Sequence, residues 1–245
     1  MKLTKLLLVP AVALGLCSAS CVPDVVSIQV KQALAGAIDG QCVLTTGSNM
    51  QLARGVIDLG YVNPNNPAYM LALRVVSNVE ATELTGGGSS YNPADRNDFY
   101  VEKVTFRYTG QGVPEVTSEM SLSGLIQAQS ETDFAFNILS SEAYRRLVAM
   151  ATPDGREVVV EIKLSGTFAH GAEYETAPFA FPLTVYASMA PICDSAVHDL
   201  VSAGPTDPPC QNWGQDGIGY VCVCKAGSAG CPEGTTRNPD TCLCE

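Results

Sequence analysis

The chain is short of charge, of basic residues and of histidine, and it has no long apolar run. Charged side chains make up 16% of its 245 residues, against roughly 25% in an ordinary soluble domain. With 46% hydrophobic residues beside that, the composition excludes a disordered chain, which is poor in apolar residues and rich in charge. Basic residues number 14 against 25 acidic ones, for a formal net charge of −11. No basic stripe interrupts that excess, so electrostatic capture of nucleic acid is excluded, because phosphate is repelled. No apolar run reaches the roughly 18 residues that a membrane-spanning helix needs, which excludes a helical membrane bundle.

Catalytic signatures are equally scarce. The only histidines are His170, in the turn HGAEY, and His198, in the connector CDSAVHDL. Neither G-x-S-x-G nor H-E-x-x-H occurs, so the serine-elbow and zinc-protease arrangements are missing. Glu173 and Glu175 share a strand face and Asp95 lies near Asp98. Hydrolysis by paired carboxylates needs a set separation across a cleft, which neighbours in sequence do not supply. These groups read as solvated charges, and no catalysis, metal or cofactor is expected.

What is present begins with an address. Lys2 and Lys5 precede the eleven apolar residues LLLVPAVALGL, and Ser18, Ala19 and Ser20 lead to Cys21. This is the layout of a secretory signal, too short to span a bilayer. Small residues just before a cysteine resemble a bacterial lipoprotein signal, cut ahead of a cysteine that then carries acyl chains such as palmitate. In that pattern a leucine usually stands where this chain has Ser18. The resemblance implies a signal peptide at 1–20 and lipid attachment at Cys21. With Val22 following, rather than the aspartate that retains many such proteins at the inner membrane, it implies the outer membrane. The alternative is ordinary cleavage and a periplasmic or secreted protein. Removing residues 1–20 takes away Lys2 and Lys5 and no acid, leaving 12 basic against 25 acidic side chains, net −13. Such a surface avoids anionic headgroups, so a lipid is the expected membrane attachment.

Cysteine usage divides the rest. Residues 22–192 hold Cys42 alone, and 193–245 hold seven cysteines. The expected organisation is a domain over 21–192, a connector over 193–209 containing the linker GPTDPP, and a cysteine-rich tail over 210–245. The tail reads as two copies of one unit, Cys210-x11-Cys222-x-Cys224 and Cys231-x10-Cys242-x-Cys244, each a hairpin. Zinc sites and redox sites both favour the spacing C-x2-C, which does not occur. In an oxidising compartment a disulfide framework is expected. Cys222 and Cys224, two apart on a strand, lie about 6.5–7 Å from one another, too far to bridge each other. Cutting before an acylated Cys21 leaves eight cysteines, an even number. Cys42, near the first strands, is expected to pair with Cys193, just past the last, leaving the six tail cysteines to close among themselves.

The large domain reads as strands over 24–34, 50–62, 69–80, 99–109, 115–125, 156–169 and 173–190, separated by Gly-, Pro- and Asn-rich turns. Phe99, Val101, Lys103, Thr105 and Arg107 alternate with Tyr100, Val104, Phe106 and Tyr108. Val158, Val160, Ile162 and Leu164 share a second face. A helix over 141–150 is expected, capped by Ser140, with Glu142 in its first turn and Leu139, Ala143, Leu147 and Met150 on one side. The fold class is therefore mostly β: an antiparallel β-sandwich with one short helix and a small disulfide-rich tail.

Two turn clusters offer ligand-binding chemistry. In YNPADRND, Asn92, Asp95, Asn97 and Asp98 carry oxygen atoms of the kind calcium takes, although the EF-hand order is not met and such residues are the usual ones of turns. In NPNNP, Asn63, Asn65 and Asn66 lie close to Tyr61. With Tyr61, Tyr69 and Tyr91 near them, these loops are expected to form a polar, aromatic face at one end of the sandwich.

Ala53-Arg54-Gly55 leading to Asp58, with Tyr61 and Asn78 downstream, and the strand pair GTFAHGAEYETAPFAFPLTV leading to Cys193, resemble a group of myxobacterial outer-membrane lipoproteins of unassigned function. The resemblance covers roughly residues 50–193. It implies a β-rich domain, a cell-envelope location and no known catalysis. This chain lacks the second cysteine expected just after Cys193, and its tail is an addition. The leading expectation is a lipid-anchored envelope protein with a structural or protein-interaction role. The alternative is an extracellular module that binds a glycan or peptide through its Asn- and Tyr-rich loops, and an enzyme ranks third. A shallow aromatic groove at the loop end is what separates the binder from the others.

Overall fold

The structure is a computed structural model and describes residues 27–34, 37–38, 44–45, 51–82, 95–191, 193, 196–203, 212–225, 238 and 242. The expected signal peptide, Cys21, Cys42, Tyr91, Asn92, Cys210, Cys231 and Cys244 lie outside them.

The strands are β1 (Ile28–Leu34), β2 (Ala37–Ile38), β3 (Leu44–Thr45), β4 (Gly55–Asp58), β5 (Met70–Ser77), β6 (Phe99–Thr109), β7 (Val116–Ile126), β8 (Glu131–Asn137), β9 (Arg156–Phe168), β10 (Glu173–Glu175), β11 (Phe179–Tyr186), β12 (His198–Ser202) and β13 (Tyr220–Cys224). Among the described residues there is a single helix, α1 (Ser141–Val148), which follows β8. A three-stranded sheet in the order β1-β5-β8 packs on a six-stranded sheet in the order β4-β11-β9-β6-β7, with β10 also on β9. Pairing within these two sheets is antiparallel except between β4 and β11. The protein is thus a β-sandwich with one helix, and small ladders β2-β3 and β12-β13 beside it.

Alternation builds the core. Val158, Val160, Ile162 and Leu164 of β9 are fully buried, as their spacing predicts, and Phe181, Leu183 and Val185 of β11 join them. Leu71, Leu73 and Val75 of β5 and Phe134 and Phe136 of β8 meet them from the other sheet in one continuous cluster. Each such side chain contributes roughly 1.5–3 kcal/mol on burial. The helix follows its sequence signals: the Ser140 hydroxyl accepts from the Ala143 amide at 3.1 Å, and Ala143 and Leu147 face the core. Tyr108 of β6 crosses the core and donates its hydroxyl to the Ile138 carbonyl, tying the large sheet to the start of the helical crossover.

Four expectations need correction. Residues 131–137 form β8, a strand that the polar segment ETD concealed. The stretch 173–190 is two strands, β10 and β11, because Pro178 cannot donate to a ladder. The strand expected over 50–62 is only the four residues of β4. In β6 the buried face is not a single alternation: Phe99 and Val101 are buried, and then Val104, Phe106 and Tyr108 are. The register shifts between Val101 and Lys103 against both neighbours, β7 and β9. A bulge at Glu102 therefore moves the apolar positions from odd to even residues while the core stays on one side.

The bulge explains a glycine. Gly166 is the partner of Val101 in β9, and a Cβ placed there would lie 1.9 Å from the Tyr100 carbonyl oxygen. That neighbour is backbone, locked in the ladder, so it cannot step aside.

The outer face of the large sheet is wet and ionic. Arg107 holds Glu115 through two nitrogen–oxygen contacts of 2.9 and 3.1 Å and Glu161 at 2.8 Å, while Lys103 pairs with Glu119 and Lys163 with Glu175. Arg54 pairs with Glu157 beside them. These exposed pairs are individually weak. They nonetheless hold the Glu115, Glu157 and Glu175 carboxyls below the ordinary glutamate value of 4.5, chiefly through hydrogen bonds from Arg107, Arg54 and Lys163 respectively.

Two outcomes follow. Gly166→Ala is expected to lower stability by about 1–3 kcal/mol, read as a fall in the urea midpoint; an unchanged midpoint would show that the bulge can relax. Carboxyls depressed in the folded state give stabilisation that is present above their unfolded pKa and lost as pH falls through the folded one. The thermal midpoint is therefore expected to be flat from pH 7 to about 5 and to fall below about pH 4. A midpoint that rises on acidification would contradict this.

Candidate functional site

The loop from β4 to β5 is fixed at three points. At its start, Asp58 Oδ1 accepts the Gly60 and Ser188 amides, each at 3.0 Å, and the Ser188 hydroxyl donates to Asp58 Oδ2. In its middle, Asn63-Pro64-Asn65-Asn66 forms a turn. Asn66 N–H donates to the Asn63 carbonyl at 3.1 Å, and Asn63 Oδ1 accepts the Asn65 amide at 3.0 Å. Proline second and an asparagine first are what such a turn favours. At its end, Asn137 accepts the Tyr69 and Leu139 amides and donates to the Pro67 carbonyl, all at 2.9 Å.

The tail segment 212–217 closes over this loop and completes the sheet edge. Asp216 N–H donates to the Val56 carbonyl at 2.7 Å, Asp58 N–H donates to the Gly214 carbonyl at 2.8 Å, and Ile57 and Gln215 form an antiparallel bridge. The tail thus adds a short strand to β4, which is otherwise an unpaired edge. The Asp216 carboxylate accepts the Val56 amide at 3.0 Å and the Tyr69 hydroxyl at 3.0 Å. Gln215 mimics a peptide group, accepting from Met70 N–H and donating to the Met70 carbonyl, both at 2.9 Å. Tyr69 is fully buried; burial first, and then the Asp216 charge and hydrogen bond, push its phenol well above the ordinary tyrosine value, so it stays a donor. Gly55 makes this possible, since a Cβ there would lie 2.1 Å from the Tyr69 hydroxyl.

Between loop and tail lies a groove of about 460 Å³. Tyr61, Asn63 and Asn66 line one wall, and Asn212, Trp213 and Tyr220 the other, with Leu200 of β12 alongside. The Tyr220 ring stands edge-on to Tyr61 at 5.0 Å and to Trp213 at 5.6 Å. Burial, and then Tyr61 beside it, raise the Tyr220 phenol pKa. No carboxylate, histidine, lysine or arginine is among the described residues lining the groove. Those residues therefore offer stacking surface and neutral hydrogen bonding rather than an acid–base pair.

Two disulfides hold the far wall. Cys193 is bonded to Cys222 and Cys224 to Cys242. The first corrects the expected Cys42–Cys193 pairing and the closure of the six tail cysteines among themselves. Cys222 and Cys224 do bond elsewhere than to each other, as their spacing requires. The expected hairpin within 210–224 is also revised, because β13 pairs with β12 from the connector, Leu200 opposite Cys222.

The remaining candidate residues are placed elsewhere. Asp95, Asn97 and Asp98 lie at the opposite end of β5 from Tyr61, so the two loops do not share one face. Their oxygens serve the fold: Asp95 accepts the Asn97 and Thr82 amides, and Asp98, nearly buried, accepts the Ala128 and Asp95 amides. Asn65 is exposed and donates only into its own turn. His170 stacks on Phe168 and bonds the Arg96 carbonyl at 2.8 Å. His198, in the connector, is buried on β12 beside the Cys224–Cys242 bridge. Trp213, Tyr220, Asn212 and Asp216 were not anticipated as site residues. The signal for them was present, since Trp213 is the single tryptophan of the chain and sits in NWGQDG with an Asp-Gly turn pair.

No family model matches the chain, and no curated protein does. A solved structure described as target SoR45 of the Northeast Structural Genomics Consortium is similar over 66% of this chain and 87% of that one, at 9% identity and a TM-score of 0.32. So low a score carries no argument about fold or function.

Asp216→Ala is expected to leave the Tyr69 hydroxyl and Val56 amide without acceptors, at a cost of about 1–3 kcal/mol, and to shift Trp213 emission to the red as the segment lifts. Asp216→Asn, which keeps a carbonyl acceptor and tolerates the left-handed φ of 50° found here, is expected to lose less. Equal behaviour of both variants and the parent would refute the clasp.

Proposed function

We propose that this is an exported, lipid-anchored cell-envelope protein whose sandwich and tail together bind a ligand in the groove between Tyr61 and Trp213. The carrying observation is the groove itself: three aromatic side chains and three asparagines converge on one concavity at the strand ends, with no charged side chain among the described lining residues. Sites of this kind combine apolar surface with a few placed polar groups. The envelope location is supported by the signal-like residues 2–20 ahead of Cys21, by disulfide bonding, and by the resemblance to myxobacterial lipoproteins. Attachment through Cys21 is part of the same reading. An interaction role has its own support in Val221 and Val223, exposed together on one face of β13.

Cys21→Ala is expected to move the protein from the membrane to the soluble fraction of its host; persistence in the membrane would overturn lipid anchoring. For the groove, Trp213 is a built-in reporter because the chain has one tryptophan. Titration with a panel of oligosaccharides of either charge class and unstructured peptides is expected to give a saturable emission change with at least one member, weakened tenfold or more by Asn66→Ala. No saturable change across the panel, with the fold intact, would overturn the ligand-binding reading in favour of the interaction role.

A further inference from the structure

We infer that the groove takes a neutral glycan, a short chain of uncharged sugar rings, in preference to an anionic sugar or a peptide; this rests on the ligand-binding reading above. Three observations carry it.

The first is the inventory of unspent polar atoms. Among the described residues, the Asn66 side-chain amide, the Asn63 amide nitrogen, the Tyr61 and Tyr220 hydroxyls and the Trp213 indole N–H make no hydrogen bond, and all five residues line the groove. Asparagine amides and phenols donate and accept, and an indole donates. A set mixing both roles within one concavity matches vicinal hydroxyls, which do the same. A purely apolar ligand would bury these groups unpaired, which opposes its binding.

The second is charge. A carboxylate or sulfate on the ligand calls for arginine, lysine or a helix N-terminus. The described lining holds none of them, and the chain around it carries a net charge of −11. An anionic sugar is therefore repelled from a site with nothing to hold it. A cationic ligand finds no carboxylate in the described lining either.

The third is the state of the strand edge. Peptides are commonly captured by adding a strand to an open edge. The edge of the large sheet at this end is β4, and residues 214–216 of the tail already occupy it through Val56 and Asp58. The β4 ladder, which could have recognised a peptide, is used internally. What remains are side chains: half-buried tyrosine rings for the C–H faces of a pyranose, and amides and hydroxyls for its rim.

The test uses the full disulfide-bonded protein and a printed array of neutral and acidic oligosaccharides, followed by titration of the array hits and of an uncharged extended peptide while reading Trp213 emission. At least one neutral oligosaccharide is expected to bind saturably. Tyr61→Ala and Asn66→Ala are each expected to raise its Kd tenfold or more, and Asn65→Ala, outside the groove, to leave it within twofold. Near-ultraviolet circular dichroism checks that each variant is folded; should Tyr61→Ala fail that check, Asn66→Ala alone decides. Binding of only the peptide or only acidic sugars would overturn the neutral-glycan inference while leaving a ligand-binding module. Binding of nothing on the array or in the titration would overturn both.

Discussion

One carboxylate, that of Asp216, holds the end of the sandwich where the groove lies. It accepts from the Val56 amide on the edge of the large sheet and from the hydroxyl of Tyr69, which stands at the entrance to the small sheet. A buried phenol without a partner is costly, so the tail segment that supplies the partner is drawn to this position. Its backbone then completes the ladder of β4, and Gln215 fixes the first residue of β5. Trp213, three residues earlier, is thereby set opposite Tyr61. The second wall of the groove thus depends on a hydrogen bond made outside it. Gly55 belongs to the same device, since any side chain there would occupy the volume of the Tyr69 hydroxyl. The Ala53-Arg54-Gly55…Asp58 motif acquires a physical reading from this: Arg54 pairs with Glu157, Gly55 clears the phenol, and Asp58 ties the groove loop to Ser188.

Much of the sandwich was legible because its strands are half-buried and alternate. The run Val158, Val160, Ile162, Leu164 announces its own face, and Ser140 with Glu142 announces the helix start. The misses share one cause, which is that period-two reasoning assumes an unbroken ladder. At Glu102 one inserted residue transfers the apolar set from odd to even positions, so each half of β6 was read correctly and their relation was not. In β8 only Phe134 and Phe136 face inward over a short span, and the flanking Glu131, Thr132 and Asp133 look like turn residues. Asp133 is there to pair with Arg74 across the small sheet, at 2.8 and 3.0 Å, a contact between strands that local sequence does not display.

Half of the groove was legible and half was not, for a reason of chain distance. Tyr61, Asn63 and Asn66 sit in one turn cluster and were visible as such. Their counterparts lie about 150 residues away in a segment that composition marked as a separate stapled tail. A cysteine count gives the number of possible bridges but no geometry, so the bonds that lash β13 to Cys193 and Cys242 could not be chosen. Those bonds matter to the site because β13 begins with Tyr220. With β12 paired alongside it, the small ladder forms a shoulder to the groove.

The distribution of charge supplies the last step. The outer face of the large sheet interleaves Arg107, Lys103 and Lys163 with glutamates, so these cations of an acidic chain are committed there. None is left to line the groove among the described residues. Under the proposed ligand-binding reading, selectivity cannot come from long-range attraction, which an acidic surface directs away from anions. It has to come from short-range fit: ring faces held at fixed angles by edge-on packing, and amides whose positions are set by turn hydrogen bonds made elsewhere. A site of this type gains from rigidity more than from charge, because each side chain already ordered before binding is one whose freedom the ligand does not have to remove. The Asn63 turn, the Asn137 bridge to Pro67, the Asp216 clasp and the two disulfides are separate restraints on the same concavity, and together they supply that order before any ligand binds.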